Sequence, residues 1–303
     1  DKALRLAGIP PANLRVVGVD GRYRLDPEDL RQRIADDQVL GFTPFIVVAA
    51  AGTTNTGAVD PLDRVASVCG EHRVWMHVDG AYGGAFVLCP EGRDRLAGIG
   101  RADSITFDPH KGMFLPYGTG CLLVRDGARL RAAHAESAAY LQDIARDPDL
   151  PESPADVGPE LSRDFRGLRV WLPLMLHGAA AFRSALAEKL ELAHRFHRGL
   201  VRLREQGLPV EVVDEPQLSV VPFRLSRQGG ETLAEWNQRN ARLNEWINSR
   251  GRVFLSSTLL PGADGDVFTL RVCVLSFRTH ASRIDEALED VASFPIAARL
   301  ETT

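Results

Sequence analysis

Trp75-Met-His-Val-Asp-Gly-Ala-Tyr-Gly-Gly84 and Asp103-Ser-Ile-Thr-Phe-Asp-Pro-His-Lys-Gly112 are built alike. Each is an apolar run that ends in a polar group just before a turn containing glycine. Short apolar runs bounded by turn signals read as buried strands. In an open α/β sheet, ligands collect at the carboxyl ends of the strands. The two stretches therefore set Asp79 and Lys111 at strand ends that face one crevice. A salt bridge between strand ends explains the same pair, and the two residues alone do not separate these readings.

On either side, strands alternate with helices. Phe45-Ile-Val-Val-Ala-Ala-Ala51, closed by Gly52, predicts a buried strand. Asp60-Pro61 predicts a helix through about Cys69, with Asp60 as N-cap and Pro61 at the first helical position. Val74–Val78, Ser104–Phe107 and Cys121–Val124 predict three more strands, and the alternation implies a mainly parallel sheet. Four prolines (148, 151, 154 and 159) make Arg146–Glu160 a surface loop. A long helical region follows from about Phe165 to Glu205, which Pro173 and Gly178 should kink or divide. Beyond it, strands are predicted over Val210–Val213, Leu218–Leu225, Val253–Ser256 and Val267–Leu275, with helices over Thr232–Arg250 and Ala281–Ala292. The expected organisation is a large α/β domain over residues 1–207 and a smaller α+β domain over 208–303.

The chain has 303 residues, 45% hydrophobic and 25% charged, which is ordinary globular usage and enough for a large core. Its net charge of −4 and scattered basic residues argue against a nucleic-acid partner. No apolar run reaches the length of a membrane span, and no secretory signal is visible. Cys69, Cys89, Cys121 and Cys273 are far apart, as expected for reduced thiols in a cytoplasmic protein. Cys69, His72 and His77 lack a second pair at zinc-ligand spacing, so no metal is expected. Dinucleotide, Walker and nucleophile-elbow motifs are missing. Asp1-Lys-Ala-Leu-Arg-Leu-Ala7 opens at once as a helix, so the sequence is expected to start inside a domain.

An amine and a carboxylate at one crevice match the needs of pyridoxal phosphate. The amine forms a Schiff base with its aldehyde, and the carboxylate holds the pyridine nitrogen protonated. His77-Val-Asp-Gly-Ala81 followed by Asp108-Pro-His-Lys111 resembles the pyridoxal-dependent (group II) amino-acid decarboxylase family, the group that includes aromatic-L-amino-acid decarboxylase. Ala51-Gly-Thr-Thr-Asn-Thr-Gly57, Phe165-Arg-Gly-Leu-Arg-Val-Trp171 and Leu270-Arg-Val-Cys-Val-Leu-Ser276 match it in order, so the resemblance covers essentially the whole chain.

The resemblance implies fold type I, with a partial large-domain sheet and a small C-terminal domain. It implies pyridoxal phosphate as cofactor and decarboxylation of an L-amino acid, an aromatic one favoured. Lys111 matches the Schiff-base lysine and Asp79 the carboxylate on the pyridine nitrogen. Ala81 matches the small residue packed flat on the ring, on the same side as Asp79 if the strand continues. Thr54 and His110 match positions near the ring and the phosphate; a turn threonine and a strand-end histidine are their plainer readings. Tyr140 matches the mobile-loop tyrosine that gives Cα its proton, against a Tyr on an amphipathic helix. Arg271 matches an arginine that some relatives use for a substrate carboxylate, against a bare sheet edge; Arg163 and Arg166 rank below it. Asp108 stands where animal relatives carry Asn near the phosphate, and Gly112 replaces a larger residue. The family's phosphate loop and stacking histidine precede the start of this chain, which implies an N-terminally incomplete homodimeric protein. Two further outcomes stay open: a pyridoxal-dependent oxidative deaminase that forms an aldehyde, or an inactive subunit serving as an interaction module.

Overall fold

The computed structural model describes residues 2–134 and 153–295. Its first sheet has the order β1 (Ile46–Ala50), β2 (Trp75–Asp79), β3 (Ser104–Phe107) and β4 (Cys121–Val124). The first three strands are parallel and β4 runs antiparallel to β3. Ala50 lies beside Asp79, and Asp79 beside Thr106, so three carboxyl ends finish in one row. Around this sheet lie α1 (Lys2–Leu6), α2 (Pro27–Val39), α3 (Leu62–His72), α4 (Pro90–Arg95), α5 (Pro109–Gly112) and α6 (Gly127–His134).

Strand alternation gives the sheet two unlike faces. Val47, Ala49, Met76 and Val78 are buried in one core with Leu62, Val65 and Cys69 of α3. The other face carries Ile46 and Val48, 38% and 55% exposed. The stretch expected as a buried strand is therefore buried on one side only. That open face also holds Trp75, His77 and Asp79 of β2 and Ser104 and Thr106 of β3, as their register and shared hydrogen bonds require.

The second sheet, ordered β5-β6-β8-β7, is antiparallel throughout: β5 (Val210–Val212), β6 (Val220–Leu225), β7 (Ser256–Leu260) and β8 (Val267–Cys273). It packs with α8 (Leu233–Ser249) and α9 (Ala281–Ala292) through Phe223, Leu243, Ile247, Leu270 and Ile284. Thr232 and Glu235 form a capping box at the start of α8, which satisfies two otherwise orphaned N–H groups. The strand expected over Val253–Ser256 begins only at Ser256, because the preceding Leu255 is pinned by both Asn248 side-chain atoms and ends the turn from α8.

α7 (Leu168–Glu205) belongs to both cores, with Phe182 and Leu186 in the first and Phe196 and Leu200 in the second. Its backbone breaks at Gly178, at φ 71° and ψ 155°, while Pro173 is carried within the helix. By length and composition α7 would suit a membrane span, and only 11% of its most apolar window is buried. The break leaves Leu168 to His177 as the helical piece before it, roughly 15 Å long. That is about half a hydrocarbon core of ~30 Å.

Asp60 does not cap α3; Pro61 holds that position. The Asp60 carboxylate instead accepts the N–H groups of Leu25 and Ala50, both at 2.7 Å, and so ties the segment before α2 to the end of β1. Burial pushes this carboxyl group up, against those two bonds. Of the proline-rich stretch, residues 153–160 hold a single 3-10 turn at Pro154–Val157, and residues 146–152 lie outside the described residues.

Candidate active site

Asp79 is the last residue of β2. The chain turns at Gly80, where a Cβ would stand 2.9 Å from the Thr106 carbonyl oxygen that accepts the Gly80 N–H. Ala81 N–H then donates to Asp79 Oδ1 at 3.1 Å. The strand therefore does not continue to Ala81, and alternation is not what sets that residue's direction. The hydrogen bond from its own N–H holds Ala81 beside the carboxylate. At Gly83 a side chain would collide with the Ala51 carbonyl, so this turn lies directly on the end of β1.

Lys111 stands in α5, the single helical turn that follows β3. Its Nζ lies 2.9 Å from Asp108 Oδ2, with side-chain exposures of 42% for the lysine and 17% for the aspartate. Among the described residues no ion pair joins Lys111 to Asp79, so the two do not form the strand-end salt bridge. Asp108 turns toward the amine. His110 donates from Nδ1 to the Thr119 carbonyl at 2.6 Å and meets the Tyr117 ring edge-on at 4.9 Å. Its Nε2 lies 3.9 Å from Asp108 Oδ2. At Gly112 a Cβ would collide with that of Ala85. The missing side chain there is a packing requirement of α5 on the 3-10 turn Gly83–Leu88 that follows β2.

The second sheet supplies the far wall. β8 points Leu270 and Val272 into its core, with Val274 buried there just beyond its end, and Arg271 the other way, as alternation predicts. The Arg271 guanidinium donates to the Thr54 carbonyl and, at 3.4 Å, to Ser256 Oγ. The threonines that close the turn from Gly52 to Gly57 are Thr53 and Thr56, whose hydroxyls are 2.8 Å apart. Thr54 is exposed at the tip. Tyr82 completes the join, its hydroxyl accepting the Ser219 N–H at 2.8 Å and bonding Ser219 Oγ at 2.8 Å. Burial pushes the Tyr82 phenol above its usual range.

Asp79, Ala81, His110 and Lys111 thus gather at the ends of β2 and β3, and Arg271 meets Thr54 across the join of the two sheets. Arg163 and Arg166 are exposed, and Arg166 is occupied by Glu160 at 3.1 Å and Asp164 at 2.8 Å. Tyr140 lies outside the described residues. Sequence reading passed over the polar ladder on the open face. His77 Nδ1 bonds Ser104 Oγ at 2.8 Å, His77 Nε2 bonds Thr106 Oγ1 at 3.1 Å, and Trp75 Nε1 donates to Ser104 Oγ at 2.8 Å. Polar residues at every second position of otherwise apolar runs are the signal that would have found it.

Residues 2–226 match the sequence profile of the pyridoxal-dependent decarboxylase conserved domain. The chain belongs to the pyridoxal-dependent decarboxylase family. An aromatic-L-amino-acid decarboxylase of Bacillus atrophaeus is 36% identical over 279 residues, which cover 92% of this chain and 56% of that protein. A phenylacetaldehyde synthase of Petunia hybrida is 33% identical over 294 residues, covering 94% of this chain and 56% of that one. The crystal structure of Oryza sativa TDC with PLP and tryptamine superposes with a TM-score of 0.83 at 31% identity, over 96% of this chain and 59% of that one. The fold is therefore that of the fold type I pyridoxal-dependent decarboxylases, and the chain spans little more than half the length of these relatives.

Proposed function

We propose that the protein containing this chain decarboxylates an L-amino acid, an aromatic one favoured, to the amine and CO₂ with pyridoxal phosphate as cofactor. The observation that carries this reading is the placing of Lys111 and Asp79 at neighbouring parallel strand ends without a salt bridge between them. The donor set fits the cofactor: a primary amine for its aldehyde, a carboxylate for its pyridine nitrogen, and a small residue, Ala81, held beside that carboxylate. His110 and Thr54 are the neighbouring candidates for its periphery. Bound there, the cofactor supplies a conjugated ring that takes up the electron pair left by the departing carboxylate.

The chain's own residues do the rest. Asp79 holds a positive charge on the ring nitrogen, which a fixed carboxylate does better than mobile water. Asp108 positions the Lys111 amine for the cofactor's aldehyde. Arg271 offers a planar guanidinium to an anionic substrate group, with the Thr54 carbonyl as its resting partner. Tyr140 gives its phenolic proton to Cα once CO₂ has left.

A homodimer is part of the proposal. Its support is the apolar surface of α7 before the break, where Trp171, Met175 and Leu176 are 57%, 65% and 70% exposed. Cytoplasmic placement rests on the four free cysteines among the described residues. The two-domain division near residue 207 rests on the separate cores of the two sheets.

A second reading, oxidative deamination to an aldehyde, is favoured by the similarity to the Petunia phenylacetaldehyde synthase. The deciding experiment incubates the protein with pyridoxal phosphate and L-tryptophan, L-tyrosine or L-phenylalanine. Amine with equimolar CO₂ is expected. Aldehyde with ammonia would favour the second reading, and no turnover under any condition would favour an interaction module.

A further inference from the structure

The ladder on the open face has a fixed direction, because one of its ends can only donate. The Trp75 indole has an N–H and no acceptor. Its Nε1 lies 2.8 Å from Ser104 Oγ, so Ser104 accepts there. Arg129 of α6 stands 5.8 Å over the same indole and helps hold it. Ser104 is 6% exposed, and its hydroxyl makes its other bond, also 2.8 Å, to His77 Nδ1. Among the described residues, Ser104 Oγ has no other acceptor for its hydrogen. A buried hydroxyl that cannot donate loses a hydrogen bond's worth of stability. The arrangement that satisfies every atom has Ser104 donating to His77 Nδ1. The neutral ring then carries its hydrogen on Nε2, and Nε2 donates to Thr106 Oγ1 at 3.1 Å. With its oxygen accepting from the ring, Thr106 has its own hydrogen left to give, and Thr106 is the register neighbour of Asp79 at the strand ends.

We infer that His77 is a positioning residue: held as the neutral Nε2–H tautomer by Trp75 and Ser104, it makes the Thr106 hydroxyl a hydrogen-bond donor to the crevice beside Asp79. The groups that face His77 agree with a neutral ring. Along β2 it has Asp79, which favours the cation, and burial outweighs that pull and pushes the imidazolium down. In register across β1 is Val48, and across β3 is Ser104, neither of them charged. Next to β3, β4 presents Leu122 and Val124 opposite Thr106 and Ser104. Arg129 lies over the Trp75 ring. The tautomer follows from the hydrogen bonds whatever the site binds. The use of the Thr106 hydroxyl rests on the reading of Asp79 given above.

The test is heteronuclear NMR of the protein labelled with ¹⁵N-histidine, the His77 ring being assigned by its loss in His77→Gln. At neutral pH the ring should be neutral with its proton on Nε2, and that proton should exchange slowly. Trp75→Phe removes the obligatory donor and frees Ser104 to accept from the ring, so a substantial Nδ1–H population should appear. A cationic ring, an Nδ1–H tautomer in the parent protein, or a tautomer unmoved by Trp75→Phe would overturn the inference. The tautomer is read in the wild-type protein, and a variant is needed only for the assignment. A second arm titrates the protein with pyridoxal phosphate by absorbance. Thr106→Val should bind about tenfold more weakly than Thr106→Ser, the worth of one hydrogen bond. Equal binding by the two would remove the hydroxyl from the site while leaving the tautomer intact. Failure of Lys111 to react with the cofactor would instead sink the functional reading and leave the ladder untouched.

Discussion

Tyr82→Phe isolates the oxygen that joins the two sheets. The ring stays, and with it the packing against Gly52, where a Cβ would stand 2.5 Å from Tyr82 Cδ1, and the edge-on contact with Phe86 at 5.8 Å. What goes is an acceptor for the Ser219 N–H and a partner for Ser219 Oγ, each at 2.8 Å. Ser219 is 0% exposed, so water does not replace the acceptor. An orphaned buried N–H costs about 1–3 kcal/mol, and the hydroxyl bond adds about 1 kcal/mol. The expected loss is therefore roughly 2–4 kcal/mol. Ser219→Ala removes only the second bond and should cost about 1 kcal/mol. Equilibrium urea unfolding followed by far-ultraviolet circular dichroism measures both. Should Tyr82→Phe prove no more destabilising than Ser219→Ala, the Ser219 N–H has another acceptor and the join does not depend on the phenol. The consequence for the site is direct: Tyr82 follows Asp79 by one short turn, and Ser219 leads into the strand paired with that of Arg271. Weakening the join loosens one wall of the crevice against the other.

Three further outcomes follow from the same geometry. Asp79→Asn should still take up some pyridoxal phosphate but lose on the order of 10²-fold or more in kcat, because the ring nitrogen loses its fixed charge partner; steady-state kinetics near the parent rate would remove Asp79 from that role. Tyr140→Phe should bind cofactor normally and divert product from amine toward aldehyde and ammonia under air, and amine at the parent rate with no aldehyde would make Tyr140 structural. His77, His194 and His197 are all pushed below the usual histidine value of 6.5 by burial. The unfolded chain therefore takes up protons before the fold does as pH drops below that value, so stability is full above it and falls with acidification. His77→Gln should flatten this dependence in unfolding experiments run from pH 7.5 to 5, and an unchanged slope would mean that His77 titrates alike in both states.

The alternation of strands and helices was legible because each element carries a local period. Ser104–Phe107, Cys121–Val124 and Ala281–Ala292 stand where their patterns put them. Boundaries set by distant partners were not legible. Asp60 has the sequence signature of an N-cap, yet two backbone N–H groups from other segments claim its carboxylate. The burial of Phe45–Ala51 was overestimated because an apolar run does not say whether both of its faces are covered. The pairing of Lys111 with Asp108 needed the turn of α5, which brings residues three apart onto one side. The ladder through His77 was visible only as polar residues in alternate positions, and its direction required the donor-only indole that register brings beside Ser104. Arg271 was placed on the outward face of its strand by alternation alone, whereas its contact with Thr54 depends on how the two sheets meet.

The central claim is that Lys111 is the amine that holds the cofactor, with Asp79 as its counterpart at the next strand end. Its most direct test is to incubate the protein with pyridoxal phosphate, reduce with borohydride, digest, and locate the modified lysine by mass spectrometry. The account predicts a single pyridoxyl adduct on Lys111 that disappears in Lys111→Ala. An adduct on Lys2 or Lys189, or one that survives Lys111→Ala at the parent yield, would contradict it.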